Sequence, residues 1–320
     1  MSISHYIKDI GRGKDGARSL GRAQASDLMG QLLDGQVTDL EVGAFCLAMR
    51  IKGETPEEMA GFLDAAHARL SRVPASGPTT VVLPSYNGAR KLPVLTPLLA
   101  LLLAREGLAV LVHGTATESS RISTQNVLLE LDIEAQAAIT SIPKGCVAFA
   151  PTELLHPGLK RLLDVRRVVG LRNPAHSLVK LLQPCEGPAV LVSSYTHPEY
   201  LQSMTATLAL TGTRALLLRG TEGEPVADAR RTPAMDAFDH GRVRRVQEGQ
   251  AGPLEHVPHL PALDAASTAV WIRAVLAGHT PVPTPVALQV QHIVHLARTP
   301  PAILAAASAP VPSTATGALS

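Results

Sequence analysis

The 320 residues, 46% of them apolar, are enough for one large or two modest domains with an ample core. The net charge of +2 is too small to imply a polyanionic partner by itself, so that question rests on where the charges sit. Aromatic residues make up 3% of the chain, which argues against a surface built on base stacking and leaves phosphate contacts as the route to nucleic acid.

The first 72 residues are expected to form a helical domain. Ser26 is positioned to cap a helix that carries Leu28, Met29, Leu32 and Leu33 and stops at Gly35. Thr38 with Glu41, and Thr55 with Glu58, have capping-box spacing, and Pro56 suits a first helical position. The prolines and glycine of residues 71–79 predict a linker. Beyond it, short β-rich runs at 81–83, 108–113, 146–150, 189–193 and 214–218 alternate with helical stretches at 94–105, 123–131 and 198–209. Such alternation predicts an α/β domain over residues 80–300 with a mostly parallel sheet. Two more helices are expected at 265–277 and 286–297, and a disordered tail over 305–320. A segment near 156–185 is expected at the hinge, packing with the helical domain.

Cys46, Cys146 and Cys185 are far apart and form no paired motif, which suggests packed, reduced thiols and a cytoplasmic protein. Residues 1–14 have no signal-peptide apolar run, and the stretch 92–104 is interrupted by prolines and falls short of the roughly 20 residues of a membrane helix. No membrane association is expected.

Ligands of parallel sheets bind at the carboxyl ends of the strands. The loops there are "PSYNGARK" at 84–91, "HGTATESSR" at 113–121, "GLRNPAH" at 170–176 and "RGTEGE" at 219–224. In this order, and with "AMRIKGETPEE" near residue 50, they resemble the anthranilate phosphoribosyltransferase family, glycosyltransferase family 3, over roughly residues 1–298. "PSYNGARK", "RNPAHSLVKLL", "HPEY" and "GTEGE" are similar to its YbiB-type DNA-binding branch. The resemblance implies a nucleoside phosphorylase/phosphoribosyltransferase-like fold, a homodimer through the helices, and nucleic-acid binding in place of catalysis.

Compared residue by residue, three parts of the transferase site are altered. The first loop has one glycine, Gly88, where the family has several, so a backbone cradle for pyrophosphate is not expected to form. The second loop keeps His113, Gly114, Ser119 and Ser120, but the family's Lys is Val112 and its Asn-Arg is Thr115-Ala116. Arg121 stands where the family has Lys, and the family's magnesium-binding Asp-Glu pair matches Pro225 and Val226. Glu222 and Glu224 lie nearby as oxygen donors, yet no metal and no cofactor is expected. Arg172 matches the Arg that faces anthranilate in the family, His176 matches an Asn, and Lys180 matches a Pro.

Ser85, Tyr86, Asn87, Gly88, His113, Gly114, Ser119, Ser120, Asn173 and His176 therefore outline a vestigial ligand cleft, with no catalytic residue assigned. For His113 and His176 structural roles are favoured, whereas Tyr86 suits stacking and packing equally. Lys160, Arg161, Arg166, Arg167, Arg172 and Lys180 face only Asp164 as an acid between residues 156 and 180. With Arg90, Lys91 and Arg121 they form the candidate nucleic-acid site, acting on the backbone of single or double strands with little sequence preference. Arg242, Arg244 and Arg245 are expected in a surface loop. A transferase of altered substrate and a small-ligand sensor in the old cleft remain the alternatives.

Overall fold

The computed structural model describes residues 2–13, 15–75, 77, 79–253 and 258–300, so the expected tail at 305–320 lies outside the described residues. Helices α1 (Ser4–Ile10), α2 (Arg22–Leu33), α3 (Asp39–Lys52) and α4 (Pro56–His67) open the chain. Both expected capping boxes are present. Thr38 accepts from the Glu41 amide at 3.3 Å and Thr55 from the Glu58 amide at 3.2 Å. Each satisfies an otherwise unpaired helix-end donor, which stabilises by about 1 kcal/mol. Ser26 is not a cap. The helix begins a turn earlier because Gln24 reaches back to the Gly21 amide at 3.0 Å.

The α/β part follows as β1 (Thr80–Ser85), α5 (Thr96–Arg105), β2 (Ala109–Gly114), α6 (Thr124–Glu130) and β3 (Val147–Pro151). Then come α7 (Thr152–Leu155), α8 (Pro157–Val169), α9 (Ala175–Leu178), β4 (Ala189–Tyr195), α10 (Pro198–Thr211) and β5 (Ala215–Arg219). A hairpin of β6 (Met235–Asp239) and β7 (Arg242–Gln247) and the helices α11 (Ala265–Leu276) and α12 (Thr284–Arg298) complete it. The seven strands lie in the order β3-β2-β1-β4-β5-β6-β7, with β1 to β5 parallel and β6 and β7 antiparallel.

Each sheet face is covered. Val82, Leu111, Leu191 and Leu217 pack in a core shared with the N-terminal helices, while Val81, Val110, Val190 and Leu216 pack on the face carrying α5, α11 and α12. This alternation of side chains is the period-two pattern of strands covered on both faces. Arg242, Arg244 and Arg245 lie on edge strand β7, not in a loop. Their exposure on a charged sequence is what a sheet edge accommodates, and Arg245 pairs with Asp236 on the neighbouring strand at 2.5 Å. Cys46 and Cys185 are buried as expected, but Cys146 is exposed. Among the described residues no helix is long and apolar enough to cross a membrane.

Candidate functional site

β1 ends at Ser85, β4 separates it from β5, and the loops that follow β1 and β5 meet across the end of β4. Gly88 has φ +69°, and an added Cβ there would lie 2.6 Å from the Ile122 carbonyl, so only glycine lets the loop turn this tightly. The turn aims successive amides inward, and the expectation that no backbone cradle forms is therefore corrected. A cradle does form, and the protein's own carboxylates fill it. Glu224 accepts from the Asn87 amide at 2.7 Å and the Gly88 amide at 2.8 Å. Its other oxygen accepts from the Ser85 and Thr96 hydroxyls, the latter at 3.1 Å. Glu222 accepts from the Arg90 amide at 2.5 Å and the Lys91 amide at 3.0 Å. Such a nest of N–H groups is what cradles a phosphate in other proteins. Here Glu224 is 1% exposed, so the occupant is sealed in.

The segment that delivers these carboxylates is strained and braced. Glu222 has φ +53° without being glycine, and Gly223 has φ +91°. The Gly223 carbonyl accepts from Ser194 Oγ at 2.9 Å and Lys180 Nζ at 3.1 Å, and Asn87 Nδ2 donates to the Glu222 carbonyl at 2.9 Å. Magnesium would find no ligands at Pro225 and Val226, which are both buried, and Glu222 and Glu224 already serve as acceptors for the nest. The residues do not fit the family's metal. No cluster of metal-binding side chains occurs among the described residues.

Between the helical part and the sheet lies a cleft of about 530 Å³, walled by the turn between α3 and α4, by α9 and by α10. Arg172, Asn173, His176, Lys180, Tyr195 and Tyr200 line it. Lys180 is recessed at its base, bonded to the Gly223 carbonyl, and so departs from the expected set of surface cations. Burial lowers its pKa to about 8, against the opposing pull of Glu224. His176 Nδ1 lies 3.3 Å from the Asn173 amide, its buried Nε2 finds no partner among the described residues, and burial with Arg172 and Arg166 lowers its pKa to about 4. Asn173 braces the site through the Leu162 carbonyl at 2.7 Å.

His113 and Tyr86 are structural, and Tyr86 packs rather than stacks on a ligand. The Tyr86 hydroxyl meets His113 Nδ1 at 2.9 Å, His113 Nε2 meets the Leu182 carbonyl at 3.2 Å, and Thr152 donates to the tyrosine oxygen at 3.2 Å. Burial lowers the His113 pKa to about 4. Gly114 closes the buried end of β2, while Ser119 and Ser120 are exposed on the loop.

The cations of α8 divide among several partners. Lys160 and Arg167 both pair with Asp164, and Arg161 donates to the Leu32 carbonyl at the end of α2, at 2.8 Å. Arg166 pairs with Glu118 of the second loop, and Arg121 lies 3.8 Å from the same carboxylate. Arg90 and Lys91 are exposed beside the nest. Sequence reasoning missed the roles of Glu118, Glu222 and Glu224. An acid in a loop carries no signal of its own, because its function depends on which distant amides or guanidiniums it meets.

A helical domain ahead of an α/β domain with this strand order, and a phosphate-type nest at the end of β1, define a phosphoribosyltransferase-like protein. Residues 4–69 match the glycosyl transferase family helical bundle domain. The chain is 40% identical over 301 residues to the YbiB protein of Escherichia coli, covering 90% of this chain and 92% of the relative. It is 30% identical over 298 residues to an anthranilate phosphoribosyltransferase of Nitratidesulfovibrio vulgaris, covering 88% and 86%. The solved anthranilate phosphoribosyltransferase of Thermus thermophilus superposes with a TM-score of 0.69 at 22% identity, covering 92% and 93%. The chain belongs to the anthranilate phosphoribosyltransferase-like family.

Proposed function

We propose that this protein is a non-catalytic nucleic-acid-binding member of its family, engaging the backbone of DNA or RNA with little sequence specificity. The observation that carries this reading is the occupied nest: Glu222 and Glu224 hold the amides of Asn87, Gly88, Arg90 and Lys91. A diphosphate entering there would have to displace two carboxylates, one of them sealed from solvent. Phosphate recognition then falls to side chains. Arg90, Lys91 and Arg167 are exposed, and Arg121, Arg166 and Arg172 form a neighbouring electrostatic group. Backbone contacts of this kind release counterions and give affinity that falls as salt rises.

A homodimer and a cytoplasmic setting belong to the same proposal. Leu40, Leu47 and Ile51 lie along one side of α3 and are 84%, 47% and 55% exposed, an apolar strip that suits a second copy. The free cysteines fit a reducing compartment.

The test is a titration with random single- and double-stranded oligonucleotides at several salt concentrations, run beside an assay for phosphoribosyl diphosphate consumption. The reading expects salt-sensitive binding, weakened by charge reversal at Arg166 and Arg167, and no consumption. Absent or salt-insensitive binding overturns it. The 530 Å³ cleft supports a second reading, a small-ligand sensor or a transferase of altered substrate. Turnover of phosphoribosyl diphosphate would move the conclusion there.

A further inference from the structure

A second group of charges borders the nest, touching it where Arg121 donates to the Asn87 carbonyl at 3.3 Å, and is not balanced by the described residues. Glu118 sits on the loop between β2 and α6 and pairs with Arg166, which lies in the last turn of α8. Arg121 lies 3.8 Å from the same carboxylate, and Arg172 is coupled electrostatically to Arg166, Arg121 and Glu118. Among the described residues three guanidiniums thus share one carboxylate, which leaves two positive charges uncompensated.

The donors are unsatisfied as well. Among the described residues the buried Arg166 Nη1 finds no hydrogen-bond partner, and neither does His176 Nε2. Arg172 forms no ion pair with any described residue, although it is partly buried. Burial, and then Arg166 and Arg121, lower its pKa against the opposing pull of Glu118. A buried polar group without a partner is rare enough to need an explanation, and an absent anion supplies one.

We propose that Arg121, Arg166 and Arg172 form a binding site for a phosphate monoester, with Glu118 as a resident counter-charge and His176 Nε2 as an additional donor. A monoester carries up to two negative charges near neutral pH and three acceptor oxygens, matching both the residual charge and the unused donors. An internal phosphodiester carries one charge and would leave the group half compensated. The ligand is therefore either a free nucleotide or the phosphorylated end of a strand. The strand-end form rests on the nucleic-acid reading; the free-nucleotide form does not.

Calorimetric titration with adenosine 5′-monophosphate and adenosine tests the site, and an oligonucleotide with a 5′-phosphate or a 5′-hydroxyl separates the two sources. The monophosphate is expected to bind about tenfold or more tightly than the nucleoside, the scale of one charge-assisted contact. Arg172→Gln should remove that preference, as should Arg121→Gln, which serves if the first variant does not fold. Glu118→Gln should strengthen monophosphate binding by about threefold or more by removing a like charge. The preference should decline below pH of about 6, where the monoester gains a proton.

A gain from the 5′-phosphate equal to that of the mononucleotide assigns the site to strand ends. A gain confined to the mononucleotide assigns it to free nucleotides. Equal binding of adenosine and its monophosphate, or a preference that survives both arginine substitutions, overturns the site. Salt-sensitive binding of 5′-hydroxyl strands without monoester preference sinks this inference alone. Monophosphate preference without any strand binding sinks the nucleic-acid reading alone.

Discussion

The nest at residues 85–91 and the arginine group around Glu118 are both built to receive anions, and they differ in how far the protein satisfies them. In the nest, amides and hydroxyls from Ser85 to Lys91 and from Thr96 meet two carboxylates, and the more central one is fully buried. In the arginine group one carboxylate faces three cations, and Arg166 Nη1 stays unpaired among the described residues. Donors that match their acceptors make a structural element, whereas a surplus of buried donors marks a site that an outside group completes. A family fold can in this way convert one anion site into internal scaffolding while leaving another open.

Glu224→Ala empties the nest. It strands the Asn87 and Gly88 amides and the Thr96 hydroxyl in a buried pocket, and each costs about 1–3 kcal/mol unsatisfied. The denaturation midpoint should fall by an amount equivalent to about 4 kcal/mol. A loss below about 1 kcal/mol would mean that the nest is not structural.

The next effect is one of pH. His113 has a folded pKa near 4 against an ordinary value near 6.5, so the unfolded chain binds its proton more readily. Its contribution is fully present above pH of about 6.5 and is lost as pH falls toward the folded value of about 4. At about 1.4 kcal/mol per pH unit this amounts to about 3 kcal/mol. Urea denaturation across that window should show the slope in the native protein, and His113→Gln should reduce it, leaving the part that His176 and His67 contribute in the same window.

Gly223→Ala comes third. A Cβ there would lie 1.8 Å from Asn87 Nδ2, on a backbone already at φ +91°, and the expected loss is about 2 kcal/mol in the same denaturation experiment.

The smallest effect has the opposite sign and sharpens the contrast most. Arg172→Gln removes a partly buried cation that like charges oppose, so the free protein should be unchanged or more stable by about 0.5–1 kcal/mol. Thermal melting without ligand measures this. A clear destabilisation would mean that Arg172 is already compensated, as the nest is.

Much of this fold was legible in the chain itself. The Thr38–Glu41 and Thr55–Glu58 capping boxes, the alternation of β-rich and helical runs and the loop order at the strand ends all predicted the observed architecture, because such signals act within a few residues. Local signals failed where a competing partner won. Gln24 moved the start of α2 ahead of Ser26, and pairing with β6 drew Arg242, Arg244 and Arg245 into a strand. The candidate site was legible only in part. Arg121, Arg166 and Arg172 stand out as cations on loops and on a helix end, and the altered first loop is visible as a loss of glycines. That loss wrongly suggested the loss of the cradle, because backbone direction depends on Gly88 and on what the amides meet, not on how many glycines surround them.

The sequence by itself determined the family, the helix boundaries set by caps, and the departures from the transferase pattern at Val112, Pro225 and Val226. Only the tertiary structure decided that Glu224 crosses from the loop after β5 to the amides after β1, and that Glu118 is outnumbered by arginines. The reason is physical: whether a buried charge closes a site or leaves it open depends on the count of partners within reach, and those partners lie up to 139 residues away along the chain.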